Sequence, residues 1–265
     1  MLKHQDIVSF FCRHIIAVCV TYQVKGEPEP CFFAAPATVI CFGKVHHLLT
    51  AGHVVNKLER LFANKSVVVT ECLLADSFSN NIVNNIPIPF DFENAKKGYI
   101  DKEGLDFGLV ALENYYVRLL KVNKIVALYR KNWIYTDDQT FDFYAVLGLP
   151  EEFSSFDPRS TDPIAKITPT ILFVDELTEL PKEVKKTKYA RFAGYIRIMD
   201  GISDLKGMSG GPILGFQVGP PMRYWVVAIQ SSWIKKRRII FGCRISLIGN
   251  LVETLLETND LTEKY

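Results

Sequence analysis

Short runs of apolar, β-branched and aromatic residues recur along most of the chain, and turn residues bound each run. Such runs are typical of strands. Twelve are predicted: His14–Gln23, Cys31–Phe42, Val45–Thr50, Ser66–Leu73, Phe107–Leu112, Lys124–Tyr129, Phe141–Gly148, Lys166–Phe173, Phe192–Met199, Pro212–Val218, Tyr224–Ser231 and Ile239–Ile245. Almost no helical periodicity separates them. The pattern therefore favours an all-β barrel or sandwich over a parallel α/β fold.

Helical periodicity is clear near the carboxyl end. Apolar residues at steps of three and four there define one face, which predicts a helix that docks on the body: Leu247, Ile248, Leu251, Val252, Leu255 and Leu256. A shorter helix is predicted over Val55–Phe62. The polar tail Glu257–Tyr265 is expected to fray.

Three polar stretches are predicted to be loops, namely Asp76–Gly104, Glu151–Asp162 and Leu177–Lys188. The chain midpoint near Tyr116–Asn123 separates about six predicted strands from about six more. This division predicts two barrels.

Composition and charge describe an ordinary globular chain: 265 residues, 48% hydrophobic, 23% charged, with a formal net charge of +2. Such a balance argues against charge-driven binding to nucleic acid or to an anionic membrane. Apolar runs such as Ile15–Val20 are far shorter than the roughly 20 residues of a membrane-spanning helix. Charged residues interrupt the amino-terminal apolar stretch, so we expect no export signal and a cytoplasmic location.

The six cysteines have irregular spacing and no Cys-x-x-Cys pair: Cys12, Cys19, Cys31, Cys41, Cys72 and Cys243. We expect reduced core residues, not disulfides or a zinc site. No cofactor and no metal are predicted.

The strongest chemical signal is Gly207-Met208-Ser209-Gly210-Gly211-Pro212. Glycines on both sides of a serine allow a tight turn whose N–H groups converge, as an oxyanion hole requires. The same letters fit the nucleophile elbow of α/β-hydrolases, but that fold places its histidine after the serine. All five histidines here precede Ser209, so the elbow is rejected.

A base for Ser209 must come from upstream. His53 follows an apolar strand that ends in small residues, Thr50-Ala51-Gly52, and is the candidate. A carboxylate shielded from water should orient it. Asp106, which leads into a predicted strand, is the candidate, and Asp101 in a more polar stretch is the weaker one.

These motifs, in this order, resemble those of a trypsin-like (chymotrypsin-fold) serine protease. The residues that carry the resemblance are Thr50-Ala51-Gly52-His53, Asp106-Phe107-Gly108-Leu109-Val110 and Gly207 to Pro212. The resemblance implies two antiparallel six-stranded β-barrels, with His53 and Asp106 in residues 1–120 and Ser209 in residues 121–265, followed by the helix. It also implies peptide-bond hydrolysis, with the Gly207 and Ser209 N–H groups as the oxyanion hole.

The chain departs from secreted members of this family. Val54 and Leu205 stand where those proteins carry disulfide cysteines, and Met208 stands where zymogens carry the aspartate that receives the new amino terminus. We therefore expect a site that is formed constitutively, or one that a protein partner, substrate or loop movement assembles.

The same resemblance also implies which residues select the substrate side chain. The floor of the primary pocket should be Ser203, which would favour apolar or small side chains, or Asp204, which would favour Lys or Arg. One wall should come from Ser231, Ser232 and Trp233. The basic run Lys235–Arg238 lies near that pocket, as a contributor to specificity or as a solvated hairpin turn.

The sequence thus supports a serine endopeptidase that cleaves a particular intracellular protein or peptide. The rival hypothesis is a catalytically silent trypsin-like module that binds or scaffolds.

Overall fold

The structure is a computed structural model, and it describes residues 4–76, 87–102, 104–133, 139–156, 165–182, 184–199 and 201–252. The strands are β1 (Ile15–Val24), β2 (Cys31–Phe42), β3 (Val45–Thr50), β4 (Val67–Ala75), β5 (Ile88–Pro89), β6 (Lys97–Lys102), β7 (Leu105–Leu112), β8 (Phe143–Gly148), β9 (Ser155–Phe156), β10 (Ala165–Lys166), β11 (Thr170–Glu176), β12 (Arg191–Ile196), β13 (Pro212–Gln217), β14 (Arg223–Ile234) and β15 (Ile239–Arg244). The helices are α1 (His4–Cys12), α2 (Gly52–Ala63), α3 (Asn114–Val122) and α4, which covers 245–252 up to the last described residue.

The first half of the chain forms a seven-stranded antiparallel sheet in the order β5-β4-β1-β2-β3-β7-β6. Side chains alternate between its faces, because successive residues of a strand point in opposite directions. In β1, for example, Ile16 and Val18 pack with α2 and α3, whereas Ile15 and Ala17 pack towards the second half.

The second half contains a closed six-stranded barrel in the order β11-β12-β15-β14-β13-β8. This confirms the mainly β fold and one of the two barrels expected. The other closed barrel is not shown, because the first half has seven strands and its edge strands β5 and β6 are not paired with each other among the described residues. The division into residues 1–120 and 121–265 stays a prediction.

The predicted helix near the carboxyl end is confirmed for residues 245–252, while its remaining part and the tail lie outside the described residues. The helix expected over Val55–Phe62 is confirmed as the longer α2. The strand expected over Lys124–Tyr129 is wrong: this segment makes only an isolated bridge between Ile40 and Leu128. Ile125 and Leu128 are buried without belonging to a ladder, whereas Val126 and Tyr129 are exposed. The strand expected over Lys166–Phe173 is split between β10 and β11.

The first and second halves pack against each other through one continuous apolar core. The Phe11 ring of α1 contacts the rings of Phe216 and Tyr224 in the second half, with centroids 5.3 and 4.9 Å away. Nearby, the Tyr224 hydroxyl lies 2.7 Å from Nε2 of the buried His14. These contacts hold the two halves together and so set the geometry of the cleft between them.

Candidate active site

His53 lies in the first turn of α2, directly after the short link that follows β3. Gly52, the first residue of α2, packs against β6 so closely that a Cβ on it would lie 2.0 Å from the Ile100 carbonyl oxygen. Only glycine fits there. Val54 and Val55, the next two residues of α2, are buried in the core of the first half. His53 is therefore left on the side of α2 that faces a cleft.

Both carboxylate oxygens of Asp106 bind His53. Asp106 is the second residue of β7; its Oδ1 accepts the backbone N–H of His53 at 3.0 Å, and its Oδ2 lies 2.7 Å from His53 Nδ1. The His53 side chain is 37% exposed and that of Asp106 17%. Two contacts to one carboxylate fix the position of the residue and the orientation of the ring.

The pKa of His53 is raised. Burial, the largest single influence, acts to lower it, but the hydrogen bond and the negative charge of Asp106 together raise it, and Asp101 adds to that effect. Asp101 pairs with Asp106 across β6 and β7. Asp101, the weaker sequence candidate, thus acts on His53 through charge, while Asp106 contacts it.

Ser209 lies in a tight turn between β12 and β13. Gly207 has φ +89°, and a Cβ there would lie 2.5 Å from the Leu149 carbonyl oxygen, so the turn requires glycine. Met208, at the position of the zymogen aspartate, is buried in the core. The turn is therefore anchored by apolar packing at that position.

Backbone hydrogen bonds leave two N–H groups of this turn available. The N–H groups of Met208, Gly210 and Gly211 donate to backbone carbonyls, whereas those of Gly207 and Ser209 donate to none within the described part of the chain. These are the two groups expected to form an oxyanion hole. An unengaged pair of donors in one turn is what a carbonyl oxygen would need.

The Ser209 hydroxyl donates to the Ser231 carbonyl oxygen at 3.3 Å. Among the contacts of the described residues, none joins this hydroxyl to His53. Both side chains nevertheless line the same cleft. The structure thus brings the three residues to one site, with the Ser209 hydroxyl turned towards Ser231.

This cleft encloses about 630 Å³ and is lined by both halves of the molecule. Its lining residues are Tyr22, Phe32, Phe33, Ala34, Ala35, His53, Val54 and Lys57 from the first half and Leu149, Glu151, Ser154, Asp204, Leu205, Lys206, Gly207, Ser209, Ser231, Ser232 and Trp233 from the second. Of the residues expected to bind substrate, Asp204, Ser231, Ser232 and Trp233 are present. Ser203 is not.

Ser203, the neutral candidate for the pocket floor, is engaged elsewhere. Its N–H and hydroxyl donate to Glu152 at 2.6 and 2.7 Å. Asp204 lines the cleft, but its carboxylate binds Lys235 Nζ at 3.0 Å. Lys235 begins the turn between β14 and β15, so one residue of the basic run is an ion-pair partner as well as part of a solvated turn.

Sequence reasoning missed much of the cleft lining, including Phe33, Lys57, Glu151 and Lys206. Lys57 carries a detectable signal, because a residue four positions after His53 lies on the same helix face. Glu151 and Lys206 form an ion pair at 2.9 Å across a long stretch of chain. Nothing local in the sequence marks such a pair.

All six cysteines are free; Cys12, Cys19, Cys41 and Cys243 are buried. Burial raises the pKa of the Cys243 thiol to about 12. Among the described residues, no helix is long and apolar enough to cross a membrane.

No protein-family model matches the chain, and no curated protein matches it either. Among solved structures, the fold resembles the crystal structure of a thermostable serine protease, AL20, from an extremophilic microorganism. The identity is 12%, the TM-score 0.49, and the match covers 88% of this chain and 92% of that chain. A likeness of this extent does not establish what the present chain does.

Proposed function

We propose that this chain is a serine endopeptidase in which Ser209 is the nucleophile, His53 the general base and Asp106 the residue that orients it. The observation that carries the proposal is the double contact between Asp106 and His53 in the cleft that Ser209 also lines. A histidine held in this way, and a serine turn in which the Gly207 and Ser209 N–H groups donate to no backbone carbonyl among the described residues, are the components of acyl transfer.

In the proposed reaction, His53 Nε2 takes the hydroxyl proton while Ser209 Oγ attacks the carbonyl carbon of a peptide bond. The Gly207 and Ser209 N–H groups receive the oxyanion. Collapse of the tetrahedral intermediate breaks the C–N bond, and protonated His53 gives its proton to the leaving amine. Water, deprotonated by His53, then attacks the acyl group and restores Ser209.

One step precedes this chemistry. The Ser209 hydroxyl donates to Ser231, so it must turn about its side-chain torsion towards His53. This rotation exchanges one hydrogen bond of the half-buried hydroxyl for another and breaks no other hydrogen bond that the side chain makes with the described residues. We propose that substrate entry, or the binding of an activating protein partner, favours the conformation in which the Ser209 hydroxyl points towards His53.

The same contact favours a second candidate function. A serine whose hydroxyl stays on the Ser231 carbonyl is not activated, and the protein would then be a trypsin-like module that binds a protein or peptide without cleaving it. The cytoplasmic location stays a prediction under either function, and the cleavage of one particular intracellular protein stays a prediction under the first.

Covalent labelling with a fluorophosphonate separates the two functions, because the probe reacts only with an activated serine. We expect the wild type to be labelled, and Ser209→Ala and His53→Ala to be unlabelled. Ser66→Ala, an exposed serine outside the cleft, is the matched control and should label as the wild type does.

Ser209→Ala should also keep its fold, since the hydroxyl makes a single bond to Ser231, worth about 1 kcal/mol. Circular dichroism and thermal unfolding check this. Failure of the wild type to label in every condition, including with its natural partner present, with the probe in excess and the fold intact, would overturn the endopeptidase and favour the binding module.

A further inference from the structure

The two walls of the cleft differ in how their charged side chains are neutralised. On the second-half wall, Glu151 pairs with Lys206 at 2.9 Å, and Asp204 pairs with Lys235 at 3.0 Å. On the first-half wall the charged residue is Lys57. Within the described part of the chain, no carboxylate lies within ion-pair distance of its ammonium group.

The Lys57 ammonium group lies over the ring of Phe33, 3.9 Å from the centroid. Cation–π attraction holds the group in place. Burial lowers the pKa of Lys57, the nearby Glu151 opposes that effect, and Lys206 adds to it. Glu151 therefore has two lysines near it and forms an ion pair with one, which leaves positive charge in excess at this end of the cleft.

Lys57 lies on the side where the leaving group of a substrate must be. His53 protonates the leaving amine, so the chain after the cleaved bond passes His53 and the wall it belongs to. Lys57 follows His53 by four residues on α2, which places their backbones about 6 Å apart on one face of the helix. An extended peptide covers that distance in about two residues.

We propose that Lys57 and the Phe33 ring form a binding subsite for an acidic side chain at the first or second position after the cleaved bond. This rests on the proposed endopeptidase function. The Phe33 ring supplies an apolar base for the methylene groups of Asp or Glu, and the ammonium group supplies the charge. A substrate lysine or arginine at that position is repelled by Lys57.

Paired fluorogenic peptides test the proposal. Their parent sequence is one that the wild type cleaves in a peptide library, and each pair differs only by Asp against Asn, or Glu against Gln, at the first or second position after the bond. The measured quantity is the ratio of kcat/KM within a pair. For an ion pair at a partly exposed site we expect a ratio of about five in favour of the acid.

Variants assign the ratio to Lys57. In Lys57→Met the ratio should fall to about one, and in Lys57→Glu the neutral peptide should become the better substrate by about the same factor. Lys44→Glu is the matched control: Lys44 is exposed in the turn between β2 and β3, at the opposite end of β3 from His53. It makes the same change of charge without altering the cleft, so the wild-type ratio should persist.

The outcomes distinguish this inference from the function on which it rests. A wild type that cleaves the parent peptide and prefers no acid at either position overturns the subsite alone. An acid preference that survives in both Lys57 variants also overturns the subsite, because another group would then cause the preference. So does a preference that Lys44→Glu abolishes equally, because the overall charge of the protein would then be the cause. A wild type that neither cleaves the library nor reacts with the fluorophosphonate overturns both proposals.

Discussion

The contact between Asp106 and His53 fixes which ring nitrogen carries a proton. A carboxylate accepts hydrogen bonds, so Oδ2 at 2.7 Å requires a proton on Nδ1. In the neutral ring Nε2 is then an acceptor, which is the form that can take a proton from a serine. The backbone bond from His53 to Oδ1 keeps the carboxylate from turning away.

The pH dependence of turnover follows from the same pair. The proposed mechanism needs neutral His53, and Asp106 raises the pKa of this histidine above its usual 6.5 in spite of burial. We expect kcat/KM to rise with pH through a single ionisation whose midpoint lies above 6.5. A pH–rate profile with a neutral peptide measures it. A midpoint clearly below 6.5 would contradict the role of Asp106.

Asp106→Asn should remove activity without removing the fold. The asparagine can still accept the His53 N–H through its oxygen, but its amide then donates towards Nδ1, which forces the proton onto Nε2. We expect kcat to fall by about 10⁴ and the His53 pKa to fall, because burial is then opposed only by the charge of Asp101. Kinetics and NMR titration of the ring check both. A variant with nearly wild-type kcat would refute the assignment.

At the level of elements, the Ser209 turn is fitted against the first half through Gly210. This residue has φ +97°, and a Cβ on it would lie 2.0 Å from Thr50 Oγ1 and 2.5 Å from the Pro36 carbonyl oxygen. Thr50 itself donates to Pro36 at 2.8 Å, which ties β3 to β2 at this point. The serine turn therefore rests on the end of the strand that leads to His53.

Gly210→Ala should push the two halves of the site apart. Gly26→Ala is the matched control, since Gly26 has φ +91° with open space around it. The control should lose about 1 kcal/mol of unfolding free energy from backbone strain alone. Gly210→Ala should lose about 2 kcal/mol more, from the clash with Thr50, and most of its kcat. Denaturant unfolding and peptide kinetics check this. Equal losses of unfolding free energy and of kcat in the two variants would show that the contact of Gly210 with Thr50 does not hold the two halves of the site together.

Strands with an alternating or continuous apolar pattern could be predicted from sequence. The bounds of β2 and β3 match the prediction because apolar runs meet a clear turn at Gly43. The edge strand β6 was missed, within a predicted loop, because most of its residues are exposed and polar. Helix α1 was missed because its apolar residues run directly into β1. Helix α3 was missed because its residues lie at the chain midpoint, which was interpreted as the boundary between the two halves.

At the scale of the whole molecule, the sequence predicts a candidate site where the proposed chemistry dictates residue type, and not where charges pair over long sequence distances. His53, Asp106 and Ser209 stand in motifs whose small neighbours, such as Gly52, are required by close backbone approach. The pairing of Glu151 with Lys206 depends on how the two barrel segments meet. That arrangement is a property of the packed core, which no local pattern encodes.

The packing of the two halves should itself depend on pH, through His14. Its Nδ1 donates to the Val126 carbonyl oxygen and its Nε2 accepts from the Tyr224 hydroxyl, both at 2.7 Å, with Arg13 donating to the same nitrogen at 3.2 Å. A second proton, on Nε2, would break the bond from Arg13 and would require the Tyr224 hydroxyl to turn and accept instead of donate. Burial lowers the pKa of His14 to about 4, the Val126 bond opposes that effect, and Arg13 adds to it.

The sign of the effect follows from linkage. Between pH 6.5 and 4 the unfolded chain binds a proton at His14 and the folded chain does not, so the free energy of unfolding falls as the pH falls through this range. A shift from 6.5 to about 4 corresponds to about 3 kcal/mol. His14→Gln lacks this term, whereas the ionisation of His53 is common to both proteins and cancels in their difference. Denaturant unfolding of both proteins at several pH values should therefore show that the stability advantage of the wild type shrinks towards pH 4. A difference in unfolding free energy that stays constant would mean that His14 is protonated within the folded interface.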